Sequence, residues 1–236
     1  MTTSSRPRLL VTGIAEGLGA EIAGAFARAG YDVLGLSRSA RASEGVSTMV
    51  VQGGGKYTHI ACDITRPADV ALALEPVAES IGVLIHNAQL LMIKPFAGIS
   101  ANEFEQVWRV ACLGAMASAQ AVLPHMAARK RGTVIFSGAT AGLRGGAKFA
   151  AFASAKFALR GLAQALAREY GPKGVHVAHV VIDGLIEAPQ TDRRFGPAAA
   201  GRMEAKAVAQ AYLDLAAQHS SSWTQEMDLR PFAETF

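Results

Sequence analysis

Cysteine is scarce: Cys62 and Cys112 are the two in 236 residues, too few for a disulfide framework. That excludes the small stapled secreted scaffolds and fits a reducing compartment, so a cytoplasmic location is expected. Both cysteines fall in apolar segments and read as buried thiols with no chemistry assigned. No Pro/Gly/Ser-rich linker divides the chain, so one domain over 1–236 is expected. No run is read as a membrane-spanning helix. The polar, basic residues 1–8 are followed by an apolar run too short for a secretion signal. There is no internal repeat, and no metal site is expected. The formal charge is only +4, spread over small groups: Arg6/Arg8, Arg38/Arg41, Arg129-Lys130-Arg131 and Arg193/Arg194. Without an aromatic-interleaved basic stripe these describe a solvated surface, and no nucleic-acid partner is expected.

What is present is a core-forming composition, 50% hydrophobic, arranged as alternating short apolar runs and helix-patterned segments. The stretch that organises the rest is Thr12-Gly13-Ile14-Ala15-Glu16-Gly17-Leu18-Gly19, between the apolar run Leu9-Leu10-Val11 and a helical segment to Ala29. A strand turning through glycines into a helix leaves the first amides of that helix unpaired. Together with the positive end of the macrodipole they suit a phosphate. Gly13 permits the tight turn, and Gly17 and Gly19 allow close approach of a pyrophosphate. The plainer reading is an ordinary strand-to-helix loop.

Further strands are expected at Tyr31–Leu36, Tyr57–Cys62, Gly82–His86, Thr133–Ser137, Val175–Ile182 and near Trp223–Leu229. Helices are expected at Pro67–Glu79, over Ala101–Arg129 with a bend near Pro124, at Phe149–Tyr170 and at Glu204–Ala217. Residues 39–56 are polar and Gly-rich and read as partly irregular. The continuous apolar run Val175–Ile182 suits a strand buried on both faces. The expected fold is α/β, a Rossmann-like doubly wound parallel sheet in a single domain, with residues 185–203 forming a substrate lid.

In such a sheet the end of the second strand lies beside the adenosine ribose. Ser37 and Arg38 there favour a 2′-phosphate, hence NADP(H) over NAD(H). Glu16 beside the phosphate turn opposes this slightly by repulsion, and Arg38 as a surface residue stays open. Asp63 could simply begin a turn, as in Asp63-Ile64-Thr65. The edge His86-Asn87-Ala88-Gln89 is expected to face the ligand crevice. A small-residue loop, Gly138–Ala147, carries Arg144.

Across nearly its whole length the chain resembles the short-chain dehydrogenase/reductase family. The resemblance rests on Thr12-Gly13-x3-Gly17-x-Gly19, Asp63, Asn87-Ala88, the strand beginning at Gly132, Lys156 and Gly184-x-Ile186. It implies a nicotinamide dinucleotide held by Gly13, Ile14, Gly17, Leu18, Gly19, Ser37, Arg38, Asp63, Ile64, Asn87, Ala88, Lys156, Gly184 and Ile186. It also implies a homodimer or homotetramer formed through the long helix and the Lys-bearing helix. The family works with an Asn-Ser-Tyr-Lys group, its Tyr four residues before its Lys on one helical face. Here Lys156 is present, and the Tyr, Ser and Asn positions fall on Phe152, Ala139 and Ala111. The enoyl-reductase arrangement, with Tyr seven residues before Lys, falls on Phe149. Asp183 stands where the family usually has Pro, and Ala188 where a Thr commonly contacts cofactor.

Two functions remain in play. One is an NAD(P)(H)-dependent oxidoreductase with an atypical site, acting on an unknown small carbonyl or alcohol. Its proton would come from water, the substrate, or a replacement such as His86 or Asp183, with Ser137, Thr140 and Ser154 less suited. The other is a catalytically inactive NADP(H)-binding sensor or partner subunit.

Overall fold

Six of the apolar runs and one more polar segment near the C-terminus become strands: β1 Arg8–Thr12, β2 Asp32–Ser37, β3 Tyr57–Ala61, β4 Ile81–His86, β5 Gly132–Ser137, β6 Val175–Ile182 and β7 Glu226–Leu229. In the computed structural model, which describes residues 6–40, 44–197 and 201–233, they form one parallel sheet in the order β3-β2-β1-β4-β5-β6-β7. Arg41 and part of the expected lid (198–200) lie outside the described residues.

The helices are α1 Leu18–Arg28, α2 Glu44–Gln52, α3 Pro67–Leu74, α4 Ala101–Trp108, α5 Gly114–Ala128, α6 Ala150–Tyr170, α7 Pro189–Phe195 and α8 Ala205–Ala216. They cover both faces of the sheet, and the strand period of two sorts the side chains between them. Leu9 and Val11 point into one core, with Phe26 of α1, Val46 of α2 and Tyr212 of α8. Leu10 points to the other, with Leu74 of α3, Val122 of α5 and Leu159 of α6. This is a Rossmann-like α/β fold. The strand order reverses between β1 and β4, where the carboxyl ends of the strands open a crevice.

Four expectations change. Residues 39–56 are not merely irregular: α2 forms because Val46 and Val50, one turn apart, both reach the α1 core. Helix α3 stops at Leu74, short of Glu79, because Pro76 supplies no N–H to continue it. Pro124 does not end α5. It lies on the exposed side, where the carbonyl it frees at Gln120 can take water. The interruption falls earlier, in a π-helical turn over Arg109–Leu113 between α4 and α5. Finally, Ala101–Ala128 is by length and composition apolar enough to cross a membrane, contrary to the sequence reading. In the fold, 56% of its most apolar window is buried in the protein, which accounts for that apolarity.

Candidate active site

At the end of β1, Gly13 has φ +76°, and a Cβ built on it would lie 2.5 Å from the Cα of Ala88. The chain leaving β1 is therefore pressed against the chain leaving β4, and only glycine fits. Gly17 (φ +87°) precedes α1, where a Cβ would come within 2.9 Å of Ala188 Cβ and 3.0 Å of Gln190 Nε2. No side chain caps α1, so its first amides stay available at the positive end of its dipole. Gly19 differs: its nearest neighbour to an added Cβ is at 3.5 Å, ordinary contact.

From this turn a cleft of about 1310 Å³ runs along the carboxyl edge of the sheet. Of the residues expected to hold a dinucleotide, Gly13, Ile14, Leu18, Gly19, Ser37, Arg38, Asp63, Ile64, Asn87, Ala88, Gly184 and Ile186 line it. Gly17 and Lys156 do not. Gly17 sits against Ala188 and Gln190, and the Gln190 amide donates to the Glu16 carbonyl at 3.0 Å. The segment after β6 thus reaches across to the phosphate turn.

Beside the end of β2, Ser37 Oγ donates to the Ser39 carbonyl at 3.1 Å and lies 3.0 Å from His59 Nε2. Asp63 makes the turn that its sequence suggests: Oδ1 accepts from the Thr65 amide at 3.0 Å and from its hydroxyl at 2.8 Å. Those bonds hold the carboxyl below the usual Asp range. Cys62 also lines the cleft, and burial raises its thiol pKa. Among the described residues no group of His, Cys, Asp and Glu could hold a metal ion.

At the opposite end the chemistry changes. Ala111, Ala151, Phe152, Ala155 and Val107 form a separate apolar cluster, with Leu91, Ala139 and Phe149 packed on it. All three substituted positions, Ala111, Ala139 and Phe152, thus belong to one small hydrophobic core. Phe152 and Ala139 form part of the cleft wall, and Ala111 lies buried behind them on the π-turn.

Lys156, one turn beyond Phe152 on α6, is 1% exposed. Its Nζ donates to the Ser137 carbonyl at 2.8 Å and stands 5.6 Å from the centre of the Phe152 ring. Burial disfavours the charged form and pulls this amine down to about 7. Where the resemblance implies a ribose contact, the amine is bound to the protein's own backbone.

The replacement proton carriers are also placed. His86 does not face the crevice. It is fully buried, its Nδ1 2.9 Å from Thr12 Oγ1, and desolvation holds its pKa down at about 3. Its neighbours Asn87, Ala88 and Gln89 line the cleft instead. Ser137 is buried and accepts from the Tyr212 hydroxyl at 2.9 Å. Ser154 is exposed and donates to the Ala150 carbonyl at 2.8 Å. Thr140 and Asp183 do come together in the cleft: the Thr140 hydroxyl donates to Asp183 Oδ1, and Asp183 Oδ2 pairs with Arg230 at 2.9 Å. Sequence reasoning missed this pairing. Its one signal was an acidic residue where the family usually has Pro.

The family model for short chain dehydrogenases matches residues 8–195. A short-chain dehydrogenase/reductase of Armillaria gallica is 30% identical over 198 residues, covering 81% of this chain and 76% of its own. The crystal structure of a short-chain dehydrogenase from Rhodopseudomonas palustris is 34% identical, with TM-score 0.83, covering 96% of this chain and all of that one. A metagenomic short-chain oxidoreductase solved in complex with NADP is 26% identical, with TM-score 0.83 and coverage of 95% and 96%. The chain belongs to the short-chain dehydrogenase/reductase family. It is of the oxidoreductase type whose members bind a nicotinamide dinucleotide.

Proposed function

We propose that the chain binds NADP(H) along this cleft and is an oxidoreductase with an atypical reaction end, acting on a small carbonyl or alcohol. The observation that carries the reading is the turn in which an added Cβ would collide at Gly13 and at Gly17, opening onto a cleft that continues into an apolar chamber. The residues fit a dinucleotide: free helix amides for the pyrophosphate, Asp63 and Ile64 midway, and Asn87 and Ala88 at the switch point. Arg38 beside Ser37 supports NADP(H) over NAD(H), as does the related structure solved with NADP. The bound dinucleotide supplies the hydride chemistry.

The chain's own part at the reaction end is orientation, exclusion of water and handling of one proton. Ala139, Phe149 and Phe152 make that end dry. Thr140, held by Asp183, is the hydroxyl best placed to exchange a proton with a guest. Of the expected lid, residues 185–197 close over the cleft, with Gln190 bound to the Glu16 carbonyl and Arg194 to the Leu91 carbonyl. Exposed Trp108 and Phe157, on α4 and α6, suit a homo-oligomeric contact.

A second reading is favoured by the sealed Lys156 amine: a dinucleotide-binding sensor or partner subunit without turnover. Calorimetric titration with NADPH and NADP⁺, followed by a carbonyl and alcohol panel read at the nicotinamide absorbance, separates the two. Saturable binding with turnover supports the first. Binding with turnover at background selects the second, and no binding of either coenzyme removes both.

A further inference from the structure

We infer that the reaction end of the cleft takes an anionic guest, one oxyanion group (a carboxylate or a phosphate monoester) carried on an apolar body. The inference rests on the dinucleotide reading above, which fills the other end. Three arginines line the cleft, Arg38, Arg144 and Arg194, against three acids, Glu16, Asp63 and Asp183. Glu16, Asp63 and Arg38 belong to the dinucleotide end. That leaves Arg144 and Arg194, both exposed along the cleft, and Asp183, which is paired with Arg230 at 2.9 Å and accepts from the Thr140 hydroxyl. Arg230 is shared with Asp228, so Arg144, Arg194 and Arg230 stand against Asp183 and Asp228, and the reaction end keeps a net positive charge.

The two come from different walls, Arg144 from the loop after β5 and Arg194 from α7 after β6. Arg144 forms no ion pair among the described residues. Arg194 spends one donor on the Leu91 carbonyl at 3.2 Å and lies 5.6 Å from the Phe195 ring centre, which leaves most of its planar fork open. Two guanidiniums in a cleft whose wall also carries Phe149, Phe152 and Leu185 suit a ligand with an apolar body and one oxyanion. A neutral guest of the same shape offers neither guanidinium a charge-assisted partner.

Matched probes test this by calorimetry on protein saturated with NADP⁺: 4-acetylbenzoate, 4-acetylphenyl phosphate and the neutral 4-acetylbenzamide. At least one anionic probe should bind roughly 10-fold or more tightly than the amide, the size expected of a charge-assisted hydrogen bond. The stronger of the two identifies the headgroup. The double variant R144Q/R194Q, itself saturated with NADP⁺, should lose that preference, so that neither anion binds more tightly than the amide. Amide binding as tight as either anion overturns the inference, as does an anion preference that survives in the double variant. A protein that binds no NADP⁺ defeats the dinucleotide reading instead. The same three probes on the free protein then decide this one.

Discussion

The two ends of the cleft are built from different material. The phosphate end is made of backbone: glycines where a Cβ would collide, and the uncapped amides of α1. The reaction end is made of side chains, and at Ala111, Ala139 and Phe152 these have become hydrophobic core. A backbone-built site is also a folding constraint, because altering Gly13 disturbs the packing of β1 against the chain after β4. Side-chain chemistry carries no such tie. Polar groups there can be replaced by packed apolar ones with little loss of stability, since a buried hydroxyl earns its place only when hydrogen-bonded. Binding and proton handling can therefore part company within a single cleft.

Restoring the lost groups breaks that contrast most directly. Phe152→Tyr with Ala139→Ser places a phenol near the buried Lys156 amine, which stands 5.6 Å from the ring centre. A positioned general acid is worth about 10²–10⁴-fold, so reduction of simple ketones by NADPH should rise by at least about 10²-fold over wild type. A double variant that binds NADPH normally and stays at the wild-type rate would show that the geometry, and not only the polar atoms, has changed.

A pair of glycines sharpens the contrast from the other side. Gly13→Ala combines backbone strain of about 1–3 kcal/mol with an overpacking cost of similar size. Its melting temperature should fall by several degrees, and NADPH titration should show no saturation. Gly145, in the cleft wall near Arg144, has nothing within 4 Å of an added Cβ. Gly145→Ala should melt with the wild type.

Charge burial gives a third test. His86 is held at about 3, down from 6.5, and Lys156 at about 7, down from 10.5. Within each window the unfolded chain carries a proton that the folded chain excludes, so stability rises with pH across both. Chemical denaturation should show a gain of up to a few kcal/mol from each group. Lys156→Met should flatten the rise between about pH 7 and 10.5 and shrink the acid limb only in part, because burial, the larger cause at His86, remains when the repulsion from Lys156 is gone. The hydrogen bond that the Ser137 carbonyl loses adds a cost of about 1 kcal/mol that varies little with pH.

The fold was legible because its signals are local. Each of the first six strands is a short apolar run, and the glycines of the phosphate turn stand together in the sequence. Helix α2 was not legible because it is short and followed by Gly53-Gly54-Gly55, and it is held by Val46 and Val50 packing on the α1 core, a tertiary contact. The lost proton-handling positions were legible too, but where they had gone was not. That Ala111, Ala139 and Phe152 share one core is a tertiary fact. The inward turn of His86 is set by Thr12, its partner from the neighbouring strand. The Thr140–Asp183 pair joins loops after β5 and β6, and the Tyr212–Ser137 bond joins α8 to β5. No spacing along the chain announces contacts of that range.

The smallest expected effect concerns which coenzyme the phosphate end prefers. Arg38 is the cleft-lining cation at the end of β2, with Ser37 already engaged by His59 at 3.0 Å. A guanidinium offers a 2′-phosphate a forked, charge-assisted contact and gives a free 2′-hydroxyl little. Arg38→Gln should therefore weaken NADPH by about 10-fold and leave NADH nearly unchanged, as expected for one exposed charged contact. The NADPH loss should shrink at high salt, where screening has already weakened the wild-type contact. If both coenzymes weaken equally, Arg38 supports the shape of the cleft rather than reading the phosphate, and the coenzyme preference lies with another group.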